Sequence, residues 1–374
     1  MKEKKKIVFF GIKYFPSKGG TSRVVEGLLW GLRDQYDITI YCYKDAQAQE
    51  NIPGVRTIQF REIPIKGFGV FLYYLRCCLH MMVFGTYDLV HVHKTDAAFF
   101  IPLLKVRFKV IATSHAIPYF NDKWSHIGKR YFKMAERIFM RSSPTVTSIS
   151  KALAAYYQEK YGRPVHFIPN GILISEPGTV ENAQGTLKAH GVNGKYILFA
   201  ARRILPLKGC HTLIQALDQI GFKDTLVISG DDAQLPTYTQ QLREDAKNLD
   251  VRFVGYISEK DILNGLINGA DFFVFPSEME GMSMMLLEAA FNGTPMICSD
   301  IPQNKDVLGD DEVLYFESKN ASDLAEKIQY AYSHREAMEQ MAVRAKQKII
   351  SKYNVEHVVD QYIELYTAVL AHVE

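Results

Sequence analysis

The feature that most constrains this chain is an alternation that runs once and then starts again. Apolar, Val- and Ile-rich runs of strand length come first as "KIVFFG" (6–11), "DITIYCY" (37–43), "VRTIQF" (55–60), "DLVHVH" (88–93), "FKVIAT" (108–113), "PTVTSI" (144–149) and "VHFIP" (165–169). A second set follows: "YILFAA" (196–201), "TLVISG" (225–230), "VRFVG" (251–255), "DFFVFP" (271–276), "TPMICS" (294–299) and "VLYF" (313–316). Helix-like segments lie between most of them. Strands that stay apolar on successive residues are buried on both faces, which means a parallel sheet covered by helices above and below. Polar sequence from about Gly178 to Gly194 separates the sets. We expect an α/β protein of two doubly wound, Rossmann-like domains, residues 1–175 and 176–354, facing each other across a cleft. Ligands would bind at the carboxyl ends of the strands, in that cleft. The last segment, residues 355–374, reads as one helix with Val355, Val358, Val359, Tyr362, Ile363, Tyr366, Val369 and Leu370 in a single stripe. Its stripe fits either domain; we assign it as crossing back to the first.

Composition narrows the class. The chain has 374 residues, enough for two cores, with the 47% hydrophobic and 23% charged content of a soluble globular protein. The five cysteines, Cys42, Cys77, Cys78, Cys210 and Cys298, form neither a CxxC pattern nor an even set. That argues against a disulfide framework or zinc site and for reduced, buried thiols in a cytoplasmic protein. The opening "MKEKKKIVFFGIKYF" has too short an apolar run for a signal peptide and reads as a first strand. Val70 to Phe84 is apolar but interrupted by Arg76 and His80. It falls short of the roughly 20 residues a span needs, and suits a buried or membrane-lying helix.

Net charge is +3, yet residues 1–170 carry +14 and residues 171–374 carry −11. A basic first half suits an anionic ligand or an anionic membrane face, or is a set of solvated lysines. Within it, residues 123–141 could contact a lipid-diphosphate-linked glycan at the inner membrane face. Alternatively they form an ordinary helix with Phe132, Ala135, Ile138 and Phe139 packed inwards. Nothing points to nucleic acid.

Two segments carry the chemistry. In "DFFVFPSEMEGMSMMLLEAAFNG" a strand gives way to a loop and then to a helix, capped near Ser283 and ended by Asn292-Gly293. The free N–H groups of Met282, Ser283 and Met284 make a ready phosphate site. Glu280 lies in the loop. Glu288 lies in a helix otherwise built of Met, Leu, Ala and Phe, which would make it a charged edge facing the cleft, or a solvated glutamate on a partly exposed helix. In "ARRILPLKGCHTLIQAL" (201–217) another strand opens into a helix, and Arg203 and Lys208 flank the loop. A planar guanidinium beside a compact ammonium suits a diphosphate.

These segments resemble the family 4 glycosyltransferases of the GT-B fold, which carry Glu, seven residues, then Glu within a pattern like "PSxxEGFGLxxLEAMAxGxPV". Here it reads "PSEMEGMSMMLLEAAFNGTPM". The resemblance extends over nearly the whole chain: "KYFPSKGGTSRVVEGLLWGL" is similar to the family's Gly-rich loop and helix, "TSHAIP" to its Thr-x-His loop, "FIPNGI" to its linker, and "RRILPLKG" to its Arg-x4-Lys-Gly. The first half looks most like members that build bacterial surface polysaccharides.

The resemblance implies roles. Glu280 would bind donor-sugar hydroxyls and Glu288 the ribose. Arg203 and Lys208 would hold the diphosphate as leaving group, with Gly281, Met282, Ser283 and Met284 beside it. Gly19 and Gly20 would let the first domain's backbone approach the phosphates. His115 would sit by the transferring sugar, and Tyr256 where the backbone meets the base. Arg202 replaces the family's usual Gly and could take the place of Arg203. His91 reads as a core strand residue, while His93 would edge the acceptor site. No metal or other cofactor is implied. The expected activity is retaining transfer of a hexose-type sugar from a nucleotide-diphosphate sugar, UDP-sugar favoured, to a glycan or lipid-linked glycan acceptor in envelope polysaccharide synthesis. The alternatives are a GT-B sugar-nucleotide epimerase and a non-catalytic nucleotide-sugar-binding protein.

Overall fold

The computed structural model describes residues 3–15, 20–44, 52–65, 68–120, 124–174 and 178–371. The chain divides into two compact units. Unit 1 comprises residues 1–173 with 355–374, and unit 2 comprises residues 174–354.

Unit 1 holds seven strands: β1 Lys6–Phe10, β2 Asp37–Tyr43, β3 Val55–Phe60, β4 Leu89–His93, β5 Lys109–Ser114, β6 Thr145–Ser148 and β7 His166–Phe167. They lie in the order β3-β2-β1-β4-β5-β6-β7, all parallel. The pleat sends alternate side chains to opposite faces. Val8 and Phe10 join a core with Tyr74, Cys77, Phe100, Phe139 and Tyr157. Ile7 and Phe9 join the other, with Leu28, Val358, Tyr362 and Tyr366.

That second core is closed by the last helix, Val355–Ala371. Its buried residues, Val355, Val358, Val359, Tyr362 and Tyr366, are the apolar stripe read from the sequence, and Ile363, Val369 and Leu370 pack partly against it. Each such side chain contributes about 1.5–3 kcal/mol on burial. The helix lies close on Gly20–Leu32 because Gly31 leaves room: a Cβ there would come within 2.5 Å of Val359. Lys109 Nζ caps its end, donating to Val369 O at 2.8 Å and Leu370 O at 3.2 Å.

Unit 2 holds β8 Tyr196–Arg203, β9 Thr225–Asp231, β10 Val251–Gly255, β11 Phe272–Phe275, β12 Met296–Ser299 and β13 Leu314–Phe316. The order is β10-β9-β8-β11-β12-β13, again parallel. In each unit the winding direction reverses beside the first strand, between β1 and β4 and between β8 and β11. In open α/β sheets, ligands bind outside the carboxyl ends of the strands at such a reversal. All five cysteines are free and buried. Among the described residues, no helix is long and apolar enough to cross a membrane.

Candidate active site

In unit 2 the residues singled out by sequence gather at the reversal between β8 and β11. The pairing of β8 with β9 shifts register between Ala200 and Arg203. Past that irregularity Arg202 is exposed and Arg203 half-buried. The chain then makes one tight turn, Pro206–Lys208, and reaches Gly209 at φ +69°. A side chain at 209 would be strained in that conformation and would put its Cβ 2.0 Å from Pro276 O. The loop after β8 is thereby laid against the loop after β11. A backbone bond clips them together, with Glu278 N donating to Leu207 O at 2.9 Å. Across the clip, Lys208 Nζ donates to Glu280 Oε1 at 2.5 Å, with only 11% of the glutamate side chain exposed.

The loop after β11 runs into the helix Met284–Asn292. Ser283 stands at its N-terminal boundary, but its hydroxyl makes no capping bond. The first-turn N–H groups have no intrahelical acceptor and remain donors for an anion. The helix ends at Gly293, left-handed at φ +77°, whose N–H returns to Ala289 and Ala290 carbonyls. Glu288 is 5% exposed, between buried Leu286, Leu287, Ala289 and Ala290. The solvated-glutamate alternative fails on that burial. Gly281 and Ser283 are half-buried, as is Met284, while Met282 is buried. Tyr256 follows Gly255 (φ +73°) at the end of β10, is 47% exposed, and stands off the reversal, since β9 separates β10 from β8.

Sequence reasoning missed how the loop is pinned. Glu278 Oε1 faces His211 Nε2 at 3.5 Å and its Oε2 faces Lys319 Nζ at 3.2 Å. His211 Nδ1 shares a 2.9 Å bond with the Tyr238 hydroxyl. Ser299 Oγ donates to Ser277 O at 2.5 Å, and Asn304 Nδ2 to Ser299 O at 2.9 Å. The available signal was Glu278 itself, a second carboxylate two residues before Glu280. Its partners come from distant segments that no local pattern links to it.

Unit 1 gathers its own group at the ends of β1, β4 and β5. Gly19 lies outside the described residues. Gly20 opens the helix after β1, and among the described residues nothing lies within 4 Å of where its Cβ would be. The described residues therefore give no steric reason for glycine there. His115 follows β5 and is half-buried. Its Nε2 lies 3.0 Å from His93 Nδ1. His93, expected at the acceptor edge, is 0% exposed and stands behind His115. His91 is core, as read: Nδ1 meets Tyr366 OH at 2.7 Å and Nε2 meets Thr113 Oγ1 at 2.6 Å. Burial lowers His91 and His115 to about 3 and holds His93 well below its ordinary value, and Lys94 adds to the shift at His93 and His115. All three are neutral at physiological pH.

Comparison with known proteins follows the same division. Residues 18–176 match the model described as Glycosyltransferase Family 4, and residues 186–348 match Glycosyl transferases group 1. Over 295 residues the chain is 23% identical to the phosphatidyl-myo-inositol mannosyltransferase of Mycobacterium leprae, covering 77% of this chain and 75% of that one. Its structure is similar to sucrose-phosphate synthase from Thermosynechococcus elongatus, with a TM-score of 0.84, 20% identity, and coverage of 98% and 99%. It is also similar to Anabaena Alr3699/HepE in complex with UDP-glucose, with a TM-score of 0.79, 17% identity, and coverage of 97% and 99%. At these identities the structural likenesses establish a shared fold.

Proposed function

Since the chain belongs to the family 4 glycosyltransferases, with the group 1 domain over its second half, we propose that it moves a hexose-type sugar, with retention, from a nucleotide-diphosphate sugar to a glycan or lipid-linked glycan. The observation that carries this reading is the clip in unit 2. It sets Lys208 against Glu280 beside a helix N-terminus, at the reversal of the sheet.

Sugar transfer breaks the anomeric C–O bond through an oxocarbenium-like transition state, and charge builds on the departing diphosphate. Donors already aimed at that charge need no reorganisation when it forms. Lys208, Arg203 and the first-turn N–H groups of Met284–Asn292 fill that role. A carboxylate accepts but does not donate, so Glu280 takes hydrogen bonds from sugar hydroxyls and Glu288 from the ribose. Gly20 lets backbone approach the phosphates, Tyr256 lies by the base, and His115 faces the sugar. The two glutamates grip different parts of the donor and do not form the flanking acid and nucleophile of a glycoside hydrolase. With protein cations on the diphosphate, transfer in this reading needs no divalent ion. UDP is the first nucleotide to try, as HepE was solved with UDP-glucose.

On the acceptor side the reading includes an anionic lipid surface at the cytoplasmic face. The helix His126–Ser142 packs Phe132, Ala135 and Phe139 inwards. Its outer face carries exposed Arg130, Lys133, Arg137 and Arg141, with Ile127 81% exposed. The helix's one acid, Glu136, is buried and takes a 2.7 Å bond from Lys160 Nζ. An outward face of cations and apolar side chains suits anionic headgroups. Released nucleotide from a panel of nucleotide sugars tests the donor reading, and no turnover of any donor would overturn it. Co-sedimentation with anionic and zwitterionic vesicles tests the surface, and equal binding to both would remove it.

A further inference from the structure

Three histidines stand at the end of unit 1, and the proposed reaction uses only one of them. The chain around them is built with some difficulty. Lys94, directly after His93, has φ +73° and ψ 142°, a conformation that residues with side chains rarely adopt. Gly11 (φ +94°) passes so close that a Cβ there would lie 1.8 Å from His93 O. Both steric demands converge on His93.

His93 Nδ1 meets His115 Nε2 at 3.0 Å. The other nitrogen, His93 Nε2, is buried and meets no hydrogen-bond partner among the described residues. Phe9 stacks on the ring at 5.5 Å, and His91 lies 4.0 Å away with both of its nitrogens already engaged. A neutral imidazole has one N–H and one lone pair, so the bond between the two rings can run in two directions. If His115 donates, the His93 proton sits on Nε2 and leaves a donor stranded in the core. If His93 donates, only a lone pair is stranded there. Orphaned buried N–H groups are the rarer defect. Burial keeps both rings neutral, so a protonated pair does not compete.

We propose that His93 is a positioning residue that holds His115 in the tautomer with its proton on Nδ1, so that His115 meets the transferring sugar as a hydrogen-bond donor. The sugar contact rests on the function proposed above; the tautomer does not. In this arrangement the His115 Nε2 lone pair is already occupied by His93, and Nδ1, which carries the proton, has no lone pair with which to accept another. His115 orients a sugar oxygen and takes no part as a base.

The test uses the full chain labelled with 15N-histidine, with His115 assigned by its loss in His115→Ala. Long-range proton–nitrogen spectra at neutral pH are expected to show the His115 proton on Nδ1 and unprotonated Nε2 in both rings. His93→Asn, whose side-chain amide keeps a donor at the same place, preserves that pattern. His93→Leu yields mixed tautomers and lowers kcat about tenfold, with KM little changed. A protonated Nε2 on either ring of the wild type overturns the proposal, as does an unchanged kcat in a folded His93→Leu. If His93→Leu does not fold, the wild-type spectrum and His93→Asn still decide. The spectrum is read without substrate, so it judges the tautomer separately from the reaction. Full donor turnover by His115→Ala would sink the sugar contact, and with it the donor role, whatever the spectrum shows.

Discussion

The two units share one winding pattern and end in opposite chemistry. At the reversal of unit 2 the side chains form ion pairs, Lys208 with Glu280 and Lys319 with Glu278, which also faces His211. At the reversal of unit 1 they are imidazoles and hydroxyls, joined ring to ring and to Thr113 and Tyr366, with no net charge on the histidines. The fold thus chooses where a ligand sits and leaves its character to the loops. In the function proposed above, unit 2 would meet a diphosphate whose charge grows during reaction, and unit 1 neutral oxygen-rich groups that fixed dipoles orient without adding charge.

The sharpest way to break this contrast is to remove the charges of unit 2. Lys208→Ala should cut kcat by about 100- to 1000-fold, the range seen when one preorganised transition-state donor is lost, and Glu280→Ala by about as much through loss of the acceptor for the sugar hydroxyls. Neither should unfold the protein, because both side chains belong to loops and stand outside the hydrophobic core of unit 2. Wild-type rates from both variants would end the assignment. Acid sharpens the contrast from the other side. A histidine whose native pKa is depressed leaves stability unaffected above its unfolded value, and lowers it as pH falls below that value. With unfolded values of about 6.5, three such residues remove about 2.5 kcal/mol of stability by pH 6. Both tryptophans, Trp30 and Trp124, lie in unit 1. Denaturation followed by their fluorescence at pH 7 and pH 6 therefore reports that unit, and equal midpoints would contradict neutral burial of the three rings. A smaller effect separates the two arginines. Arg203→Ala should lower kcat about tenfold, and Arg202→Ala, whose side chain is exposed where that of Arg203 is half-buried, less than about twofold. The reverse order would reassign the diphosphate contact to Arg202. Smallest of all, Gly20→Ala should leave the melting temperature nearly unchanged and raise KM for the donor about threefold, through lost backbone approach. A lowered melting temperature with an unchanged KM would mean the glycine serves the fold instead.

Much of the architecture was legible because it rests on local pattern. Runs such as "DITIYCY" and "FFVF" admit no polar face, and only a sheet covered on both sides accommodates them. Most of the strands among the described residues follow from that rule; β3, β7 and β10, at the sheet edges, carry exposed or half-buried positions instead. The loops that carry Arg203, Lys208 and Glu280 were legible for the same reason, since each follows a strand. Three features were not. The clip joining Gly209 to Pro276 and Leu207 to Glu278 depends on a contact between segments that share no pattern. One of the two hydroxyls that hold His91 comes from Tyr366, 275 residues further along. Ser283, expected to cap its helix, makes no such bond, because residue type at a boundary does not set the side-chain rotamer.

The return of the last helix to unit 1 has a consequence for the order in which the protein is made. Unit 2 is one continuous stretch, residues 174 to 354, but unit 1 is interrupted by it. At ribosomal speeds the interruption lasts roughly 10–40 s. Throughout that time the β1–β4 face waits for Val358, Tyr362 and Tyr366, and His91 waits for the Tyr366 hydroxyl. The half translated first is completed last. A premature stop at codon 355 would spare every charged residue of unit 2 and still leave unit 1 without its cover of tyrosine and valine.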